Sequence, residues 1–205
     1  APSTLTISEV DKHINIIKKS KIFLTQLEIP KDVTLHCLKI AKENKAITIL
    51  NPAPASAISK EFFDYIDYFT PNETEAEFYL NKKIETNDDI KNAAKEFLSR
   101  GVKNIVITLG KKGIYFANKN EEYFVDALKL KDEVVDTTGA GDAFNGAFAV
   151  ALANKIKYKD ALIFANKVAG ISTTRLGAAS SMPTLKEVDN YLSLIHISEP
   201  TRQSP

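Results

Sequence analysis

Short apolar runs alternate with longer amphipathic stretches along the chain. The runs at 22–27, 46–50, 66–69 and 104–108 are rich in β-branched and aromatic residues and are bounded by polar positions. That pattern predicts strands covered on both faces. Between them the spacing predicts helices over 9–19, from Pro30 to about Asn44, around Glu61, onward from Pro71-Asn72, and over 88–100. In the first of these Val10, Ile14, Ile16 and Ile17 form one apolar side, with Ser8 expected as the cap. Asn51-Pro52-Ala53-Pro54 forbids continuation of the strand before it, and Gly101 closes helix 88–100 at the C′ position. After Thr108, residues 110–113 predict a tight turn, and 114–117 with 122–125 predict a hairpin around Asn118-Lys119-Asn120. Helices are expected over 143–155, from 159 to about 174, and over 186–192 behind Thr184.

Strands alternating with helices predict an α/β fold, a three-layer α/β/α arrangement around a mostly parallel sheet with an antiparallel portion after Gly110. In such folds ligands gather beyond the carboxyl ends of the strands. Asn-Pro-Ala-Pro, Thr-Pro-Asn-Glu and Thr-Leu-Gly each follow a predicted strand and can converge on one edge. Residues 1–192 are expected to form one α/β unit. Residues 193–205 resemble translated adapter sequence and are expected to be a non-native tail. The start leads into a helix with no strand before it, so the unit is expected to be truncated at its N-terminus.

Composition narrows the partners. Of 205 residues, 26% are charged and 44% hydrophobic, as in an ordinary globular protein. A net charge of +1 gives no case for nucleic acid or an anionic membrane surface. No apolar run approaches the roughly 20 residues that span a bilayer. The opening Ala1-Pro2-Ser3-Thr4-Leu5-Thr6 has neither the basic nor the apolar region of a secretory signal. Cys37 is the single cysteine, which fits a reducing compartment, and a cytoplasmic location is expected.

The run Asp136-Thr137-Thr138-Gly139-Ala140-Gly141-Asp142-Ala143-Phe144-Asn145-Gly146 carries the most chemistry. It sets a small-residue turn directly before a helix. A helix start leaves N–H groups unpaired and carries partial positive charge, so it suits a phosphate or a developing oxyanion. Asp142 at the junction can take a proton from an attacking hydroxyl. Anion cradle and base together suggest phosphoryl transfer to an alcohol. Taken alone, an ordinary loop-to-helix junction accounts for the run equally well. It is not a Walker A loop, because Gly-Lys-Ser/Thr occurs nowhere in the chain, and its glycine spacing is not that of a Rossmann fingerprint.

Three further constellations are weaker. Asn72 and Glu75 have the spacing to aim an amide and a carboxylate at hydrated Mg²⁺, and equally the spacing of a capping box. Thr108-Leu109-Gly110-Lys111-Lys112-Gly113 can line a nucleotide pocket or simply turn a hairpin, and Lys111 and Lys112 read as solvated. Glu28, beyond a buried strand, can accept hydrogen bonds from a polyol or merely leave the sheet. His13, His36 and His196 show no metal spacing.

Together these segments resemble the ribokinase-like sugar kinases, also called phosphofructokinase-B kinases. The run 136–146 matches that family's C-terminal signature, while 26–28, 51–55 and 70–77 look like its ribose-phosphorylating members. The resemblance covers residues 1–192. It implies transfer from ATP to a sugar hydroxyl, with D-ribose giving D-ribose 5-phosphate and ADP. Asp142 would be the base and contact the sugar, and the backbone of Gly139, Ala140 and Gly141 the anion hole. Glu28 would bind the sugar. Asn72, the segment Thr108, Leu109, Gly110, Lys111, Lys112 and Gly113, Gly141 and Asn166 would border ATP. Glu75 would serve Mg²⁺ through water. Asp136, Thr138, Ser172, Arg175, Gly177 and Ser181 would surround K⁺, most through backbone carbonyls. The family's N-terminal lid and glycine-rich sugar motif have no counterpart here. Since family dimers pair through that lid, the parent is expected to be a homodimer and dimerisation of this chain is doubtful. Rival readings are a family kinase for another sugar or nucleoside, and an inert nucleotide-binding fragment.

Overall fold

The computed structural model describes residues 4–198. Strands β1 (Ile22–Thr25), β2 (Ile47–Leu50), β3 (Tyr68–Phe69), β4 (Asn104–Thr108), β5 (Ile114–Asn118) and β6 (Glu122–Val125) form a six-stranded sheet in chain order. The first four run parallel, and β5 and β6 add antiparallel. The reversal into β5 depends on Gly113 at φ 95°, where a Cβ would lie 2.0 Å from the Val125 carbonyl oxygen. Only glycine fits so close to another backbone in that conformation.

Alternation along the strands decides which helices cover which face. Leu50, Phe69, Ile105 and Ile107 point into one core with Leu38 of α3 (Lys31–Glu43), Ala76 and Leu80 of α5 (Glu73–Leu80), and Ile90 and Phe97 of α6 (Asn87–Ser99). Their neighbours Ile49, Tyr68 and Val106 point into the opposite core. There they meet Phe144 and Phe148 of α7 (Ala140–Ala153) and Leu162 and Ala165 of α8 (Tyr158–Ser172). The three layers predicted from sequence are therefore present. Phe69 is sealed, with edge-on contacts to Phe63, Tyr79 and Phe97 at ring separations of 5.4–5.7 Å. Full burial of such a side chain contributes about 1.5–3 kcal/mol. Short α4 (Glu61–Asp64), the C-terminal α9 (Leu185–Ser198), the first two helices and 3₁₀ turns at Gly110–Lys112 and Ala179–Ser181 complete the described elements.

Several boundaries differ from the sequence pattern. The helix expected over 9–19 is two short ones, α1 (Ile7–Asp11) and α2 (Ile14–Lys18), and Thr6, not Ser8, is the cap. Thr6 and Glu9 form a reciprocal capping box, which fixes the start two residues earlier. Neither helix buries a residue, so no core contact enforces one continuous rod. β1 stops at Thr25 because Leu27 donates across to the Ala53 carbonyl at 2.8 Å and turns the chain. α7 begins at Ala140, three residues before the expected start, and α9 continues to Ser198, past the boundary expected at 192. Residues 199–205 of the expected tail lie outside the described residues.

Candidate active site

The carboxyl ends of β1, β2 and β3 meet the N-terminus of α7 at one edge of the sheet. The backbone holds them there. Asn51 donates to the Thr25 carbonyl at 3.0 Å, extending the β1–β2 ladder, and Thr70 donates to the Leu50 carbonyl at 3.0 Å. Between them opens a cleft of about 410 Å³, lined by Leu24, Thr25, Gln26, Glu28, Ile29, Asn51, Asp142 and Asn145. Glu28 and Asp142, both singled out in the sequence, thus face the same space. The Asp142 Oδ1 accepts a hydrogen bond from Gln26 Nε2 at 2.9 Å.

Asp142 lies in the first turn of α7, with Gly139 as the N-cap. Gly139 adopts a left-handed φ of 77°, and a Cβ there would meet Ala178 Cα at 3.1 Å and Met182 Cε at 3.3 Å. The Gly139 carbonyl accepts from Ala143 N–H at 2.9 Å, and Ala140 N–H is taken by the Thr137 carbonyl at 3.2 Å. The N–H groups of Gly141 and Asp142 carry no hydrogen bond among the described residues. Nothing lies within 4 Å of the place a Cβ would take on Gly141. The helix start therefore presents open donors beside a carboxylate.

A buried relay sets the orientation of that turn. Asn145 is 3% exposed; its Nδ2 donates to the Gly141 carbonyl at 2.9 Å and its Oδ1 accepts from Thr70 Oγ1 at 2.7 Å. Both halves of the amide are thus used, and the end of β3 is tied to the first turn of α7.

The expected nucleotide and Mg²⁺ residues continue from Thr70. Asn72 and Glu75 form a full capping box on α5. Glu75 N–H donates to Asn72 Oδ1 at 2.7 Å, and Asn72 N–H to Glu75 Oε2 at 2.9 Å. The Glu75 carboxyl is held above its ordinary value by burial, opposed by that N–H donor. Thr108 bridges to Asn72, and its N–H donates to the Pro71 carbonyl at 2.9 Å. Leu109 N–H donates to the Gly113 carbonyl at 2.8 Å around the 3₁₀ turn Gly110–Lys112. Lys111 and Lys112 are both exposed, as read from the sequence, and Lys112 reaches Glu73 at 3.6 Å. The buried Asn166 uses its Nδ2 on the Asp126 carbonyl at 2.7 Å, fixing the chain beyond β6.

The six positions expected around K⁺ fall in two loops that bond to each other. Asp136 Oδ1 accepts from Thr138 N–H and Oδ2 from Gly177 N–H, both at 2.9 Å. These donors, Thr138 first, hold the carboxyl below its ordinary value. Asp136 and Val135 N–H both donate to the Thr173 carbonyl. Ser172 and Ser181 are buried. The Arg175 guanidinium turns to Glu187 at 3.0 Å, so only its backbone remains for a cation. Among the described residues no cluster of three His, Cys, Asp or Glu side chains forms a metal site.

Sequence reasoning named Glu28 and Asp142 but assigned no role to Gln26, Asn51 or Asn145. Gln26 and Asp142 are 116 residues apart, and no local pattern joins them. Asn145 did carry a signal, a polar residue on the apolar side of α7 three positions after Asp142.

Residues 7–185 match the pfkB family of carbohydrate kinases. The ribokinase of Staphylococcus aureus is 40% identical over 191 residues, spanning 92% of this chain and 62% of that protein. The crystal structure of Thermotoga maritima ribokinase superposes with a TM-score of 0.83 at 44% identity, over 94% of this chain and 63% of that one. Arabidopsis thaliana ribokinase, solved with ribose and ATP, superposes with a TM-score of 0.84 at 33% identity, over 89% and 59% of the two chains. This chain thus spans about three fifths of the length of these relatives. No helix among the described residues is long and apolar enough to cross a membrane.

Proposed function

This chain belongs to the pfkB family of carbohydrate kinases, and from that premise we propose that its cleft serves ATP-dependent phosphoryl transfer to a sugar hydroxyl, with D-ribose as the acceptor. One observation carries the reading: Asp142 opens into the same cleft as Glu28 while the unpaired N–H groups of the α7 start stand beside it. The relatives of known structure include one bound to ribose and ATP.

In this mechanism Asp142 accepts the proton of the acceptor hydroxyl. The oxygen so released bonds to the γ-phosphorus, and the bond from that phosphorus to the ADP oxygen breaks. Negative charge on the transferring group is met by the α7 dipole and by the Gly139–Gly141 backbone expected as the anion hole, with one change: Ala140 N–H is engaged by the Thr137 carbonyl, and the open N–H of Asp142 joins that of Gly141. Gln26 holds one Asp142 oxygen and leaves the other to take the proton. Glu28 orients the sugar. Asn72, the turn 108–113 and Asn166 border the nucleotide.

Mg²⁺, when bound, neutralises phosphate charge. Glu75 suits it through water, since Oε2 is engaged by Asn72 and Oε1 is left for a further donor. The loops around Asp136 and Gly177 would offer mainly carbonyl oxygens to K⁺, a donor set suited to that ion, and the ion would brace the α7 turn. The surroundings proposed are the cytoplasm, and the parent a homodimer.

The test is ADP release from MgATP by this chain across a panel of sugars and nucleosides, with and without K⁺. Ribose-stimulated, K⁺-dependent release is expected. Preference for fructose or adenosine would overturn the acceptor, and folded protein that binds ATP without any turnover would favour an inert nucleotide-binding fragment.

A further inference from the structure

Asn51 stands at the carboxyl end of β2 and lines the cleft. It is 6% exposed, and its backbone N–H is spent on the Thr25 carbonyl. Its carboxamide makes no hydrogen bond to any described residue, unlike the amide of the equally buried Asn145 nearby. Nor is it sealed: Ser56 Oγ is closed off without a partner, whereas the Asn51 amide keeps contact with solvent. The solvent it meets is that of the cleft it lines. An amide whose polar atoms meet only the solvent of a cleft can exchange that water for a ligand group, so its place is explained when a ligand completes it.

From this we propose that Asn51 binds the acceptor, its carboxamide pairing with a hydroxyl of the sugar on the β2 side of the cleft. The inference rests on the kinase reading above and extends it. The amide is neutral and carries both a donor and an acceptor, as a hydroxyl does. It therefore suits an uncharged polyol better than phosphate, whose oxygens offer acceptors only. Its placement complements Glu28, which as a carboxylate can only accept. The neighbouring chain holds both in place through the Leu27–Ala53 hydrogen bond at 2.8 Å. A site built to pair with a hydroxyl rejects an analogue that lacks it, so Asn51 contributes to acceptor choice.

The test is a cycle between protein and ligand. Wild type, Asn51→Leu and Asn51→Asp would be compared in KM for D-ribose, KM for ATP and calorimetric sugar affinity, with a set of singly deoxygenated riboses. Melting curves would establish that each variant folds, and Asn51→Asp preserves shape should Asn51→Leu not fold. Asn51→Leu is expected to weaken ribose roughly ten- to a hundredfold while leaving the KM for ATP unchanged. One deoxyribose should bind wild type and Asn51→Leu equally weakly, identifying the partner hydroxyl. Additive losses with every deoxy sugar, or unchanged ribose affinity in folded variants, would overturn the role of Asn51 while leaving the kinase reading intact. Wild-type protein that neither binds nor phosphorylates any sugar would overturn both.

Discussion

Two glycines two positions apart at the start of α7 should respond to alanine in opposite ways. Gly139 sits at φ 77°, and an added methyl would lie 3.1 Å from Ala178 Cα, 3.2 Å from Ala178 Cβ and 3.3 Å from Met182 Cε. The left-handed conformation costs an alanine about 1–2 kcal/mol, and moving the backbone of the 178 loop adds on the order of 1 kcal/mol. Gly139→Ala should therefore lose about 2–3 kcal/mol, a drop in Tm of roughly 5–10 °C for a chain of this size. At Gly141 nothing lies within 4 Å of the new methyl. There alanine replaces glycine inside a helix and should gain about 0.5–1 kcal/mol. Its methyl nevertheless enters open space on a residue that itself carries one of the unpaired N–H groups. Removing one donor from an oxyanion-type site costs roughly 10²–10³ in kcat, and a methyl blocking close approach should fall at or below the lower end of that range. Denaturation curves and ADP release on both variants, with Asn145→Ala as a comparison, would show the split. Gly141→Ala that is more stable and catalytically unimpaired would refute the assignment of this turn as the phosphoryl cradle.

Asn145→Ala should remove both side-chain bonds of the relay, leaving the Thr70 hydroxyl only its 3.4 Å bond to the Leu50 carbonyl, and destabilise the protein by about 1–3 kcal/mol; ADP release should fall more than that loss alone explains, and unchanged turnover at full folding would contradict the positioning role. Asp67 offers a pH test away from the site. Burial alone would raise its carboxyl, but Lys42 donating to Oδ1 and Thr48 donating to Oδ2 at 3.1 Å prevail and hold it below the ordinary 3.8. Because the folded value is depressed, this stability is present above about pH 4 and fades as pH falls through the folded value. Asp67→Asn should cost about 2 kcal/mol at pH 7, and the gap to wild type in chemical denaturation should narrow as pH falls through the depressed folded value; a gap independent of pH would contradict the ion pair's role.

What could be seen in the sequence was local or periodic. The apolar runs placed the strands because those of β2, β3 and β4 are buried on both faces, Ile49 and Leu50 pointing into opposite cores. The Asn72–Glu75 spacing announced its capping box, and Gly101 closes α6 with a positive φ of 105°. Failures came where contacts are long-range or absent. No core contact disciplines α1 and α2, so their division and their cap at Thr6 rested on side-chain hydrogen bonds that competed with Ser8. The partner of Asn166, the Asp126 carbonyl, was likewise hidden, since it is the packing of α8 against the chain after β6 that brings it near. Convergence of the strand ends was expected for the Asn51 segment, but a single chain's spacing holds no record of which side chains then line the cleft, so Gln26 and Asn51 went unassigned.

The central claim is that Asp142 takes the proton from the acceptor. Asp142→Asn keeps the shape and the Gln26 neighbour while removing the basic oxygen, so ribose-stimulated ADP release should fall by roughly 10²–10⁴. ATP affinity and melting temperature, measured on the same preparation, should hold. Turnover close to wild type in a folded, ATP-binding Asp142→Asn protein would contradict the account.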